Sequence, residues 1–324
     1  MIKRFGKLGV MAVVGALLVF CCAMTTAFAG VRSPEDRDKE TGVPEVKLVI
    51  NTAAKSLAVY QHGVKTRLYL LGLGKYSTQT PIGYYDIDEK EVNPVWINPK
   101  TKAQIPSGPE NPLGYRWMRF YGAYGIHGTN VESSVGHYVS NGCIRMREKD
   151  VEELFEIVKL GTPVEIFYNR VVIEKTPADD VVYYIYPDSY EKQPLDVKTV
   201  NSWLQGYGVD TFESNENIAK KIASSDGQPT FIAKAYEFFL NGNPLKRQVV
   251  AKDNVYYVPV IPLAEALKLP LGYDKEAGMV FYGNKRVKAY VFKDVLYVDS
   301  KDVNMLYPVT GGMYGKTFAL ATVK

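Results

Sequence analysis

Residues 126–146 read IHGTNVESSVGHYVSNGCIRM, and the rest of the chain can be read outward from them. The stretch holds His127 and His137, two of the three histidines, and Cys143, with glycines near both ends. A thiol is an effective nucleophile only as thiolate, so it needs a base or a positive charge beside it. His127 lies 16 positions before Cys143, too far for a shared helical turn. The Gly and Ser residues between them suit a chain that leaves one strand, loops, and returns to its neighbour. Two side chains at the ends of adjacent strands can then meet.

Residues 1–29 read as a secretory leader. Lys3, Arg4 and Lys7 form a positive start, residues 8–23 are almost wholly apolar, and Ala27-Phe28-Ala29 supplies a cleavage site before Gly30. An uncleaved anchor and a lipoprotein are the alternatives. The apolar run is short for a span, and Phe20 is bulky where lipidation at Cys21 or Cys22 would want a small residue. The reading predicts an exported protein of the periplasm or cell envelope, touching a membrane only through an uncleaved leader. Without the leader, 36 basic residues face 35 acidic ones. That near balance argues against a nucleic-acid partner. Cleavage also removes Cys21 and Cys22, leaving Cys143 unpaired. An unpaired thiol in an oxidising compartment calls for a reason, and catalysis is the commonest.

The remaining 295 residues suffice for two domains. Residues 30–45 are a charged, flexible lead-in. Strand patterns follow at 47–51, 56–60, 66–73 and 84–87, with His62 in a turn. Residues 93–114, rich in Pro, Asn and Gly, read as a long loop of the kind that forms lids or binding loops. Residues 121–127 form a short aromatic strand entering the key stretch. Val151, Leu154, Phe155 and Val158 fall at helical spacing, and Gly161 ends that helix. Residues 163–168 resume as a strand. The segment 169–230 reads as an extension and linker, with a strand at 181–186, helical patterns at 197–205 and 218–222, and a break over 224–229. From 231 to 324 short strands alternate with turns around a short helix.

If His127 meets Cys143, the imidazole takes the thiol proton. The resulting thiolate–imidazolium pair would hold the Cys pKa below its free value of ~8.5. The thiolate can attack a carbonyl carbon to give a thioester, with the imidazolium protonating the departing amine. Backbone N–H groups of the Asn141-Gly142-Cys143 turn are the natural oxyanion donors. Arg145 suits a substrate carboxylate, or else a structural ion pair. Zinc binding by Cys143, His127 and His137 fits poorly, because a structural site wants four ligands at closer spacing. No metal or cofactor is expected.

These residues resemble the L,D-transpeptidase catalytic domain (YkuD-like). The matching motifs are His127-Gly128-Thr129 and Ser140-Asn141-Gly142-Cys143-Ile144-Arg145-Met146. Thr80-Pro81-Ile82-Gly83, Asn93-Pro94 with Trp96, Asn111-Pro112-Leu113-Gly114 and Gly161-Thr162-Pro163-Val164 extend the likeness over about 46–167. The resemblance implies a mainly β fold with some α, a β-sandwich-like catalytic domain over 46–168. It also implies cysteine acyl transfer on peptidoglycan stem peptides: release of terminal D-Ala, then transfer to a stem amine, a protein lysine or water. By position, Cys143 would be nucleophile, His127 the base, and the Gly128 carbonyl would orient the imidazole. Arg145, Ser140, Asn141 and Gly142 would border the substrate, and Tyr115 and Trp117 are candidates to line the cleft. Many members carry His where this chain has Asn141, which donates a hydrogen bond but cannot shuttle a proton.

Residues 236–299 are similar to the copper amine oxidase N-terminal-like (stalk) domain, through Leu240-Asn241-Gly242, Tyr257-Val258-Pro259-Val260, the run 262–267 and Tyr273-Asp274. This implies a small α+β accessory module over 231–324, docking on an envelope protein or wall polymer. No His or Cys follows Cys143, so copper ligands are lacking. Against the transpeptidase stand an L,D-carboxypeptidase using water, and a non-catalytic wall-binding protein whose pocket has decayed at Asn141.

Overall fold

The computed structural model describes residues 43–98 and 100–323. The predicted leader, Cys21, Cys22 and nearly all of the predicted charged lead-in lie outside the described residues.

Alternating apolar residues set the first sheet. β1 (Val46–Asn51) buries Leu48 and Ile50 on one face, and β2 (Ser56–Gln61) buries Leu57 and Val59. His62 and Gly63, at φ +48° and +80°, make the tight turn into β3 (Val64–Leu70). β4 (Leu73–Gly74), β5 (Gly83–Asp86) and β6 (Glu89–Val92) follow. The segment predicted as an unstructured loop contains a small hairpin, β7 (Trp96–Ile97) with β8 (Gln104–Ile105). Next come β9 (Arg116–Tyr121), β10 (Tyr124–His127), β11 (Tyr138–Ser140) and β12 (Ile144–Arg145). The single aromatic strand expected at 121–127 is therefore two. Gly122, at φ +52°, turns the chain back so that β9 and β10 pair antiparallel. α1 (Glu148–Ile157) buries Val151 and Leu154, and it stops before Gly161 because buried Val158 is already extended. β13 (Pro163–Phe167) closes the unit.

Two sheets result, ordered β3-β2-β1-β13-β5 and β12-β10-β9-β6. Their inner faces share one core with α1: Leu48, Ile50, Val164 and Ile166 from the first, Met118, Phe120, Ile126 and Ile144 from the second. β4 and β11 form a separate parallel pair. Within the second sheet β10 and β12 run parallel, with Ile126 opposite Ile144 and His127 opposite Arg145.

Beyond this unit, β14 (Val171–Lys175), α2 (Val197–Gly206) and α3 (Asn215–Ser224) accompany β15 (Asp180–Ile185). Asp196 and Ser214 cap the two helices through the N–H groups of Thr199 and Asn217. β15 pairs antiparallel with β16 (Thr230–Leu240), whose other partners include the strands Val249–Lys252 and Thr317–Thr322. One sheet thus runs across residues 224–229, the stretch read as a linker. The remaining apolar side chains divide between a cluster under α2 and α3 and a second around helix Val260–Leu267.

Candidate active site

Side chains alternate along a strand, so the register that buries Ile126 and Ile144 turns His127 and Arg145 to the opposite face. Cys143, two residues before Arg145, shares that face. His127, Cys143, Arg145, Asn141, Ser140 and Trp117 all line one cleft of about 680 Å3. The β7–β8 hairpin contributes Trp96 and Ile97 to its rim, and β6 contributes Glu89 and Glu91. The base and nucleophile expected from far-apart positions are brought to one wall.

His127 is buried at the end of β10. Its Nδ1–H donates to the Gly128 carbonyl at 2.6 Å, which leaves Nε2 as the open nitrogen. The indole of Trp117, its partner on β9, stacks on the ring with centroids 5.7 Å apart. Burial, with the nearby Arg145 charge, pushes the His127 pKa down to about 4 against the pull of the Gly128 carbonyl. Burial likewise pushes the Cys143 thiol up, outweighing Arg145 and a backbone contact. The thiol donates to the Ala123 carbonyl, 3.6 Å away. Both shifts run against the preformed thiolate–imidazolium pair expected from the sequence and favour the neutral thiol and the neutral imidazole. Desolvation penalises both charged forms more than the single guanidinium offsets.

Ser140 lines the cleft and also ties the turn together. Its Oγ accepts from the Gly142 N–H at 3.1 Å and donates to the Cys143 carbonyl at 2.6 Å. The Gly142 N–H, expected as an oxyanion donor, is thus already engaged. Gly142 sits at φ +116°, and a Cβ there would meet the Tyr124 ring at 2.3 Å. We predict that Gly142→Ala costs about 1–3 kcal/mol, combining backbone strain and overpacking, as urea unfolding would measure. A cost near zero would mean the turn is not held in this conformation.

Arg145 is half-buried, and burial lowers its pKa. Its Nε is buried without a partner, and among the described residues no carboxylate pairs with it. Tyr115 does not line the cleft. Its N–H donates to Glu148 Oε2 at 3.2 Å, placing it against α1. His137 is exposed and outside the cleft.

Glu148 is the residue that sequence reading missed. Its carboxyl lies under Gly114 and Gly128, where an added Cβ would come within 1.8 and 2.0 Å of Oε1. It joins the loop before β9 to the loop after His127, and burial raises its pKa. The only sequence signal was an acidic residue at the start of a helix, which ordinarily faces solvent.

A family model for the YkuD L,D-transpeptidase catalytic domain matches residues 45–166. The chain is 30% identical over 210 residues to the "Probable L,D-transpeptidase ErfK/SrfK" of Salmonella typhimurium, covering 56% of this chain and 68% of that protein. It is 40% identical over 126 residues to YqjB of Bacillus subtilis, also provisionally named for that activity, covering 37% and 69%. An L,D-transpeptidase from Mycobacterium smegmatis superposes on 38% of this chain and 58% of its own, at 21% identity and a TM-score of 0.33, too low to add to the assignment. The chain belongs to the L,D-transpeptidase (YkuD) family and carries that family's catalytic domain.

Proposed function

We propose that the protein is a peptidoglycan L,D-transpeptidase, with Cys143 as nucleophile and His127 as base. The observation that carries this reading is the shared cleft wall: an open imidazole nitrogen, a thiol and a guanidinium without a carboxylate partner among the described residues, on one face of two parallel strands. As Sγ attacks the carbonyl carbon at the L-centre of diaminopimelate, Nε2 of His127 takes its proton. The new S–C bond forms a tetrahedral oxyanion, for which the Cys143 N–H and the Asn141 amide are the donors the turn has to offer. Collapse breaks the C–N bond, and D-Ala leaves with the proton returned by the imidazolium. An acceptor amine then attacks the thioester, His127 takes the amine proton, and the sulfur departs as thiol. Arg145 meets a donor-stem carboxylate, a role favoured over an internal ion pair because no such pair is formed among the described residues.

The leader supports export to the periplasm or cell envelope, and the C-terminal unit is read as a stalk-like accessory module that docks on the wall or an envelope protein. Incubation with a tetrapeptide-stem muropeptide tests the function. D-Ala release with a cross-linked dimer means transfer, release with a tripeptide means hydrolysis, and no release defeats the proposal.

The neutral resting pair sets the pH dependence. Protonated imidazole cannot accept a proton, so kcat/KM should fall as pH drops through about 4, rather than through the free-imidazole value of ~6.5. Thiolate forms only above the ordinary thiol range, so iodoacetamide alkylation of Cys143 should still be rising at pH 9. An acid limb near 6.5, with alkylation saturating below pH 8, would instead indicate a preformed ion pair.

A further inference from the structure

Tyr190 lies beyond the residues matched by the family model, yet its ring is buried against the catalytic unit. Its hydroxyl donates to the Gly74 carbonyl at 2.5 Å, with Thr80 beside it. The ring is held between Tyr138, at 5.0 Å between centroids, and Tyr168, at 5.6 Å. Those neighbours are fixed in turn. Tyr138 donates to the Thr52 carbonyl at 2.8 Å, and Tyr168 donates to Asp188 at 2.7 Å. Asp188 also accepts from the N–H groups of Lys192 and Gln193, closing the turn that carries Tyr190.

Gly74, the residue that Tyr190 grips, is the partner of Ser140 in the β4–β11 pair. The N–H of Lys75 and the hydroxyl of Thr78 both donate to the Ser140 carbonyl, at 3.0 and 3.1 Å. Ser140 Oγ in turn holds both Gly142 and Cys143. An unbroken series of short contacts therefore runs from the extension to the nucleophile's own carbonyl.

We propose that Tyr190 is a positioning residue for Cys143, so that acyl transfer by this chain depends on a segment outside its catalytic unit. This rests on the reading of Cys143 as nucleophile. The hydroxyl, rather than the ring alone, is the active part, because it is the hydroxyl that reaches β4.

The test uses the full mature chain and Tyr190→Phe, which keeps the ring. Three quantities are followed: D-Ala release from a tetrapeptide muropeptide, the pH profile of iodoacetamide alkylation at Cys143, and Tm. Displacement of a reacting atom is costly, so kcat should fall about tenfold with KM within about twofold. The alkylation profile should shift, while Tm changes by only a few degrees. Unchanged kcat and alkylation, or a fall in Tm alone, would make Tyr190 a packing residue and overturn the proposal. If the wild-type chain releases no D-Ala, the functional reading fails, but the alkylation profile still decides the role of Tyr190. Should Tyr190→Phe not fold, Thr78→Ala removes a hold on the Ser140 carbonyl, the next link in the same series, at a half-buried position. It should shift alkylation in the same direction, and an unmoved profile would overturn the proposal.

Discussion

Cys143→Ala should abolish D-Ala release from a tetrapeptide muropeptide, by roughly 10⁴-fold or more, while leaving the thermal unfolding transition near that of the wild type. The expectation has two parts with separate causes. Covalent transfer has no alternative sulfur, since the predicted mature chain holds only this cysteine. The fold is spared because the side chain takes part in neither the core nor the turn. Its Sγ makes a weak contact with the Ala123 carbonyl, whereas the turn is held by backbone groups and Ser140 Oγ. Mass spectrometry after incubation supplies the check: a thioester adduct on the wild type and none on the variant. Residual turnover above about 1% in Cys143→Ala would move the chemistry elsewhere.

His127→Gln should lower kcat by about 10²–10⁴-fold with little change in KM. Glutamine retains an N–H for the Gly128 carbonyl and much of the ring's volume beneath Trp117, but it offers no basic nitrogen in place of Nε2. Arg145, the residue assigned to substrate binding, is untouched, so the loss should appear in turnover. Steady-state kinetics across pH separate the cases. The variant should lack the acid limb near pH 4, because the group that titrates there is gone. A kcat within tenfold of the wild type, or a persistent acid limb, would assign the base to another residue.

Much of the site was legible before the fold. The spacing of His127 and Cys143, with Gly and Ser between, gave adjacent strand ends, and β10 and β12 are such a pair. What escaped were features that depend on burial. A thiol near an imidazole suggests mutual ionisation, but sequence carries no measure of desolvation, and desolvation reverses the direction at both groups. The types of Ser140 and Gly142 suit substrate contacts, but their hydrogen bonds within the turn depend on backbone geometry. Which lone pair meets which N–H is decided by a glycine at φ +116°. Tyr115 has the right type and neighbourhood for a cleft residue, yet its backbone is tied to Glu148. Glu148 itself gave no sign, because a glutamate at the start of a helix is ordinarily solvated. In the fold, β9 was merged with β10 since aromatic residues run through both, and only Gly122 marks the reversal. The pairing of β15 with β16 joins segments some fifty residues apart, and no local pattern announces it.

The parallel pairing of β10 with β12 makes the hydrophobic core a gauge for the chemistry. Ile126 and Ile144 are both fully buried, one position away from the groups that face the cleft. A slip of one residue in either strand would drive a guanidinium or an imidazole into hydrocarbon and present an isoleucine to substrate. Misalignment is thus penalised by apolar burial rather than by any bond between nucleophile and base. A folded molecule with these two strands one residue out of register is an unpopulated state, so a register slip should cost native packing and activity together.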